Sequence, residues 1–284
     1  MPFTTLISAS ELAAAHATDD NWLIVDCRFD LANPDSGELA YREGHIPGAV
    51  YAHLDRDLSS PITPETGRHP LPNPERFAQR LGEWGVSPTT QVVAYDADTG
   101  AIAARLWWLL RWMGHDSVAV LDGGLRAWRE AGLSLSTDTP MREPSRFIAH
   151  PNRAAWLSAD EVAERVRAGW RLLDARAPER FAGKVEPIDP VAGHVPGAHN
   201  HPFSTNLGPG GRFLSADELR KRYEAVQAGV PDDRTIAMCG SGVTACHLLL
   251  AMEAAGKKGA RLYAGSWSEW IRDQRREKAI GDSG

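Results

Sequence analysis

Four segments of this chain occur twice, in the same order, each echo 142 to 149 residues after its original. Trp22-Leu23-Ile24-Val25-Asp26-Cys27-Arg28 returns as Trp170-Arg171-Leu172-Leu173-Asp174-Ala175-Arg176. Gly44-His45-Ile46-Pro47-Gly48-Ala49 returns as Gly193-His194-Val195-Pro196-Gly197-Ala198. Val92-Val93-Ala94-Tyr95-Asp96 becomes Thr235-Ile236-Ala237-Met238-Cys239. The segment from Leu121 to Trp128 becomes Tyr263-Ala264-Gly265-Ser266-Trp267-Ser268-Glu269-Trp270. A period this long means two tandem domains of one architecture, not a solenoid of short units. The expected division is a domain over 1–134, a linker over 135–155 and a domain over 156–284. The linker carries Pro140, Pro144 and Pro151 and shows no periodicity.

In each half, short apolar runs alternate with helical patterns. Strands are expected over 23–26, 92–96 and 118–121, then over 172–174, 235–238 and 261–263. Helices are expected over 9–16, 74–84, 101–113 and 125–131, then over 159–167, 216–226, 244–255 and 267–275. Ser8/Glu11, Ser158/Glu161 and Ser215/Glu218 have the spacing of capping boxes. Such alternation predicts an α/β fold, with mainly parallel sheets flanked by helices. Ligands of these sheets gather at the carboxyl ends of the strands.

Composition narrows the function. A net charge of -6 supplies no basic field for nucleic acid. No apolar run approaches the roughly 20 residues of a membrane span, so no membrane partner is expected. The first residues lack a basic region followed by an apolar core, so no secretory signal is expected. Three cysteines, Cys27, Cys239 and Cys246, cannot make a disulfide framework and fit a reducing, cytoplasmic setting. They lack metal-ligand spacing, and Cys246 reads as core with Leu249 and Leu250. No nucleotide loop is present, so no cofactor is implied. The ten tryptophans read as core packing.

The chemistry concentrates at Cys239-Gly240-Ser241-Gly242-Val243-Thr244-Ala245. A strand runs into one cysteine, two glycines and two hydroxyls follow, and a helix begins. Glycines allow the dihedrals of a concave nest, whose N–H groups converge on one point. The helix adds its positive end there. Both favour a thiolate at Cys239. In the first half the matching position holds Asp96, a carboxylate that carries no sulfur and repels anions. Its loop reads as a retired site that caps the helix after it. A dual-specificity phosphatase also sets a cysteine in a nest, but it needs an arginine six residues later to hold phosphate, and Ala245 stands there.

The paired Asp-x-Arg and Gly-His-(Ile/Val)-Pro-Gly-Ala boxes, the single cysteine loop and the tryptophan segment near the end resemble the tandem-domain rhodanese family, over roughly residues 5 to 275. The loop is similar to the 3-mercaptopyruvate sulfurtransferase version; Gly240 and Ser241 stand where thiosulfate:cyanide enzymes carry a basic pair. The resemblance implies two domains with five-stranded parallel sheets, the first inactive and the second catalytic. It implies a Cys239 persulfide, formed from a small anionic donor and passed to cyanide, a thiol or thioredoxin. The amides of Gly240, Gly242 and Val243 would hold the substrate, with Ser241 and Thr244 donating further hydrogen bonds. Arg180 matches the arginine that grips the donor carboxylate, through two parallel hydrogen bonds. A second arginine, expected after Glu186-Pro187, is replaced by Ile188.

The resemblance places His45 toward the domain interface as a candidate proton relay to Ser241, whereas His194 reads as bracing its own turn. Arg68 and His69 are further candidates, expected to line an interdomain cleft. Asp26/Arg28 and Asp174/Arg176 read as structural ion pairs. Thiosulfate remains an alternative donor, and a non-enzymatic sulfur carrier an alternative of another class.

Overall fold

The computed structural model of the chain describes residues 2–16 and 21–282. It contains two compact units. The first comprises Met1–Ser60, Pro72–Asn152 and Gly208–Phe213; the second comprises Pro61–Leu71, Arg153–Leu207 and Leu214–Gly284. Most of the proline-bearing stretch read as a linker is laid along the first unit. Ser145 N–H donates to Gly82 O at 2.9 Å, His150 N–H to Met113 O at 2.9 Å and Asn152 N–H to Trp112 O at 2.9 Å.

The first unit runs β1 (Leu6–Ile7), α1 (Ala9–His16), β2 (Trp22–Asp26), α2 (Ser36–Glu43), β3 (Val50–Tyr51), α3 (Pro74–Glu83), β4 (Gln91–Tyr95), α4 (Ala103–Trp112), β5 (Val118–Leu121) and α5 (Gly124–Glu130). Its five strands are all parallel, in the order β1-β5-β4-β2-β3. Every residue of β2, β4 and β5 is buried. That is why these strands read as continuous apolar runs: a parallel strand covered on both faces has no polar side to alternate with. Strands β1 and β3 are two residues long, too short to carry any period. Helix α2 gave no sequence signal because only Gly37 and Tyr41 on it are buried.

The second unit runs α6 (Ala159–Arg167), β6 (Arg171–Asp174), α7 (Pro178–Phe181), β7 (Ala198–Asn200), α8 (Ala216–Gln227), β8 (Thr235–Met238), α9 (Val243–Ala254), β9 (Arg261–Leu262) and α10 (Ser266–Trp270). Its parallel sheet has four strands, β7-β6-β8-β9, where five were expected. The counterpart of β1 shrinks to one parallel bridge, Trp156 to Leu262, with Leu157 N–H on Leu262 O at 2.9 Å. Arg153–Ala155 coils into a single tight turn just before it and leaves no length for a strand. Helix α10 stops at Trp270, short of the expected 275. Asp273 breaks the pattern by accepting the N–H of Arg275 at 3.0 Å, a turn that competes with helix. The capping boxes at Ser158/Glu161 and Ser215/Glu218 are closed in both directions, and Ser8 and Glu11 exchange the same pair of bonds.

Each unit has its own apolar core, around Ile24, Val93, Tyr95 and Trp128 in the first and Ile236, Met238, Tyr263 and Trp267 in the second. The duplicated boxes prove to be parts of one device. Arg28 binds Asp26 at 2.6 Å and reaches Gly44 O at 2.9 Å; Arg176 binds Asp174 at 2.7 Å and reaches Gly193 O at 2.8 Å. One guanidinium thus ties the end of a strand to the turn before the histidine box. Both pairs are buried, so loss of either partner strands a charge, at a cost of about 3–5 kcal/mol.

Candidate active site

Strand β8 ends at Met238, and the chain turns into Cys239-Gly240-Ser241-Gly242 before α9 begins. Strand β8 lies inside its sheet, between β6 and β9, so the loop emerges at the carboxyl edge where such sheets bind ligands. Gly242 makes the turn, with φ of +81° as the residue before α9. A side chain there would be strained and would also meet Ala264 O at 2.3 Å. In this conformation Gly242 N–H points back at Cys239 Sγ, 3.1 Å away. The helix therefore opens at Gly242–Val243; Thr244 lies inside the first turn rather than at the cap.

The segment after β9 holds the loop in place. Trp267 N–H donates to Cys239 O at 3.0 Å and Ser268 N–H to Gly240 O at 2.9 Å. Ser266, at φ of +53°, accepts the N–H of Cys239 at 3.0 Å and donates to Tyr263 O at 2.9 Å. Ser266 and Ser268 carry no signal in the sequence because they stand opposite Gly124 and Arg126 in the repeat, where only Gly265 and Trp270 match their counterparts Gly123 and Trp128. Trp267 is fully buried, and Arg176 lies over its ring at 5.0 Å.

Cys239 itself is 2 % exposed; Gly242 N–H meets its sulfur and Ser266 Oγ its backbone N–H. Ser241 Oγ lies 2.7 Å from His69 Nδ1, and both residues are buried. Arg180 turns its Nε–Nη2 edge to Glu186, at 3.1 and 2.7 Å, and reaches Asp189 at 3.2 Å. Arg68 pairs with the other oxygen of Asp189. Both guanidiniums approach Gly240, whose missing side chain leaves room for them. Burial pushes the Glu186 carboxyl up, but Arg180 and the N–H groups of Asp189 and Ile188 outweigh it and hold its pKa below the ordinary value. Ile188 is exposed and brings no charge.

Ser241 therefore finds its histidine in His69. The expected relay, His45, is engaged elsewhere. Its Nδ1 lies 2.8 Å from Tyr41 O, its Nε2 2.9 Å from Asp138 O, and its ring stacks on Tyr41 at 4.0 Å. His194 shares part of this setting, with Nδ1 2.8 Å from Phe181 O and its ring stacked on Phe181 at 3.8 Å, but its Nε2 is buried with no hydrogen-bond partner among the described residues. What the two histidines share, a ring nitrogen on a backbone oxygen and a stacked aromatic ring, fits bracing of the turn in each unit.

In the first unit Asp96 fills its own nest. Its carboxylate accepts N–H groups from Asp98, Gly100, Ile102 and Ala103, at 3.2, 2.9, 2.9 and 3.2 Å. The last two are free donors of the first turn of α4, so Asp96 caps that helix from a distance.

A model described as Rhodanese-like domain matches residues 8–131 and again 158–273. The chain belongs to the rhodanese family. It is 50 % identical, over 99 % of its length and 100 % of the relative's, to a Pseudomonas aeruginosa protein named "Probable 3-mercaptopyruvate sulfurtransferase". It is 37 % identical to a thiosulfate sulfurtransferase of Bos taurus, over 87 % of this chain and 84 % of that one. Among solved structures it resembles SseA from Escherichia coli, presented among 3-mercaptopyruvate sulfotransferases. The TM-score is 0.81 at 34 % identity, over 94 % of this chain and all of that one. Within this rhodanese the cysteine loop belongs to the second matched segment and Asp96 to the first.

Proposed function

We propose that this rhodanese is a sulfurtransferase that moves sulfane sulfur from 3-mercaptopyruvate to a thiophilic acceptor through a persulfide on Cys239. The observation that carries the reading is the Gly242 N–H aimed at Cys239 Sγ, beside the Ser241–His69 pair. The thiolate attacks the donor sulfur; an S–S bond forms as the C–S bond breaks, and the electron pair leaves as the enolate of pyruvate. The enolate takes a proton, for which Ser241 and His69 are the adjacent relay. Attack by cyanide or a thiol on the outer sulfur then frees Cys239 as thiolate. Loop amides stabilise the anionic sulfur before and after transfer; a well-placed donor of this kind is worth about 3 kcal/mol. Gly240 and Val243 complete the loop, Thr244 stands next to it, and Arg180 supplies positive charge for the donor.

Asp96 makes the first domain a support rather than a second catalyst. The three free cysteines suit a reducing, cytoplasmic setting, where the acceptor is a small thiol or a dithiol protein such as thioredoxin. Among the described residues, no helix is long and apolar enough to cross a membrane.

Purified protein given 3-mercaptopyruvate and cyanide should release pyruvate and thiocyanate. Without acceptor, mass spectrometry should find one added sulfur on Cys239, and Cys239→Ser should lose both signals. Turnover persisting in Cys239→Ser would refute the mechanism. Thiosulfate is the second reading, favoured by the neutral Ile188 and tested by comparing kcat/KM for the two donors.

A further inference from the structure

We propose that Arg68 is the second cation of the donor site, acting jointly with Arg180 to hold the carboxylate of a 2-oxo acid donor; this rests on the 3-mercaptopyruvate reading above. The argument starts from what Arg180 cannot do alone. A guanidinium grips a carboxylate best through two parallel N–H groups on one edge. The Nε–Nη2 edge of Arg180 is already taken by Glu186, and Nη2 also meets Asp189. That leaves Nη1, a single direction of attachment. No other cation stands on its segment, Glu186-Pro187-Ile188-Asp189.

Arg68 supplies the missing half. A side-chain carbon built on Gly240 would lie 2.9 Å from Arg68 Nη2 and 3.6 Å from Arg180 Nη1. Both guanidiniums therefore lean on the residue that follows the nucleophile. Arg68 is held there by its backbone N–H on Ser268 Oγ, at 3.1 Å, and by Nη1 on Asp189. The Asp189 side chain is 3 % exposed and binds one arginine with each oxygen, so a single buried carboxylate aims both. Arg68 also keeps donors in reserve: its Nε is buried with no hydrogen-bond partner among the described residues. One donor from each arginine makes the two-point fork that neither offers alone.

The test is steady-state kinetics of the full chain with 3-mercaptopyruvate and cyanide. Arg68→Gln should raise the donor KM about 10- to 100-fold, the loss of one charged hydrogen bond, while kcat at saturation stays within about threefold. Arg68→Lys should fall between, since it keeps the charge without the planar fork. Adding Ile188→Arg to Arg68→Gln should bring KM back toward the wild-type value, because it restores a cation beside Asp189. A merely structural Arg68 would not be rescued from position 188. An unchanged KM in both single variants, a fall in kcat without a rise in KM, or failure of Ile188→Arg to rescue overturns the proposal. If the wild-type protein releases no pyruvate from 3-mercaptopyruvate, the donor reading falls first and the clamp with it. If it does and Arg68→Gln keeps its KM, only the clamp falls.

Discussion

His69 and Ser241 are 172 positions apart in the chain and 2.7 Å apart in space, and the proposed mechanism asks this pair to pass a proton to the leaving enolate. If the pair moves that proton, His69→Ala should lower kcat roughly 100-fold with little change in donor KM, the scale of lost general acid–base catalysis. Ser241→Ala should cost about as much, and the double variant scarcely more, since the two act as a unit. His45→Ala is the contrasting case. It should lower the denaturation midpoint, through loss of the Tyr41 and Asp138 contacts, and leave kcat unchanged. A fall in kcat with His45→Ala, or full activity with His69→Ala, would reverse the assignment. His69 carried only a weak signal, because it lies in an irregular stretch, Gly67-Arg68-His69-Pro70, with no period or repeat to mark it.

The same strand–loop–helix element occurs in both units with opposite contents. After β8 the nest faces a sulfur; after β4 a carboxylate occupies it. Two substitutions probe the pair. Gly242→Ala puts a side chain at φ of +81° and into Ala264 O, so the loop must shift. The left-handed conformation alone costs about 1–2 kcal/mol. Urea denaturation should show at least that loss, and sulfur loading of Cys239 should slow because Gly242 N–H no longer meets the sulfur. Asp96→Ala removes the acceptor of four N–H groups in a buried site. It should lower the stability of the first unit by roughly 2–4 kcal/mol, yet leave persulfide formation on Cys239 at its normal rate. A loss of sulfur loading with intact stability would mean that Asp96 serves the chemistry.

Across the molecule, the compact units do not follow the two repeats. Residues 61–71 are numbered with the first repeat but belong to the second unit, and they bring Arg68 and His69 to Ser268, Asp189 and Ser241. A fragment spanning residues 153–284 keeps the cysteine loop, β8 and α9 but loses both residues. Its kcat/KM for 3-mercaptopyruvate should drop by at least about 100-fold, even where circular dichroism shows the helices formed. Full activity in the fragment would show that the borrowed segment is dispensable.

Much of this was legible in the amino acids alone. Buried parallel strands must be apolar on both faces, so β2, β4, β5, β6 and β8 announce themselves as runs. Capping boxes, the repeat and the cysteine loop are local patterns, set by interactions within a few residues, and they marked where Cys239 would sit. Strands of two residues, the reduced fifth strand of the second sheet, and α2 with its thin buried face left no pattern to read. The partners of Ser241, Asp189 and Gly240 lie beyond any local rule. They depend on long-range packing that brings distant loops together, and hydrogen bonds between such loops follow from where backbones end up rather than from neighbouring side chains.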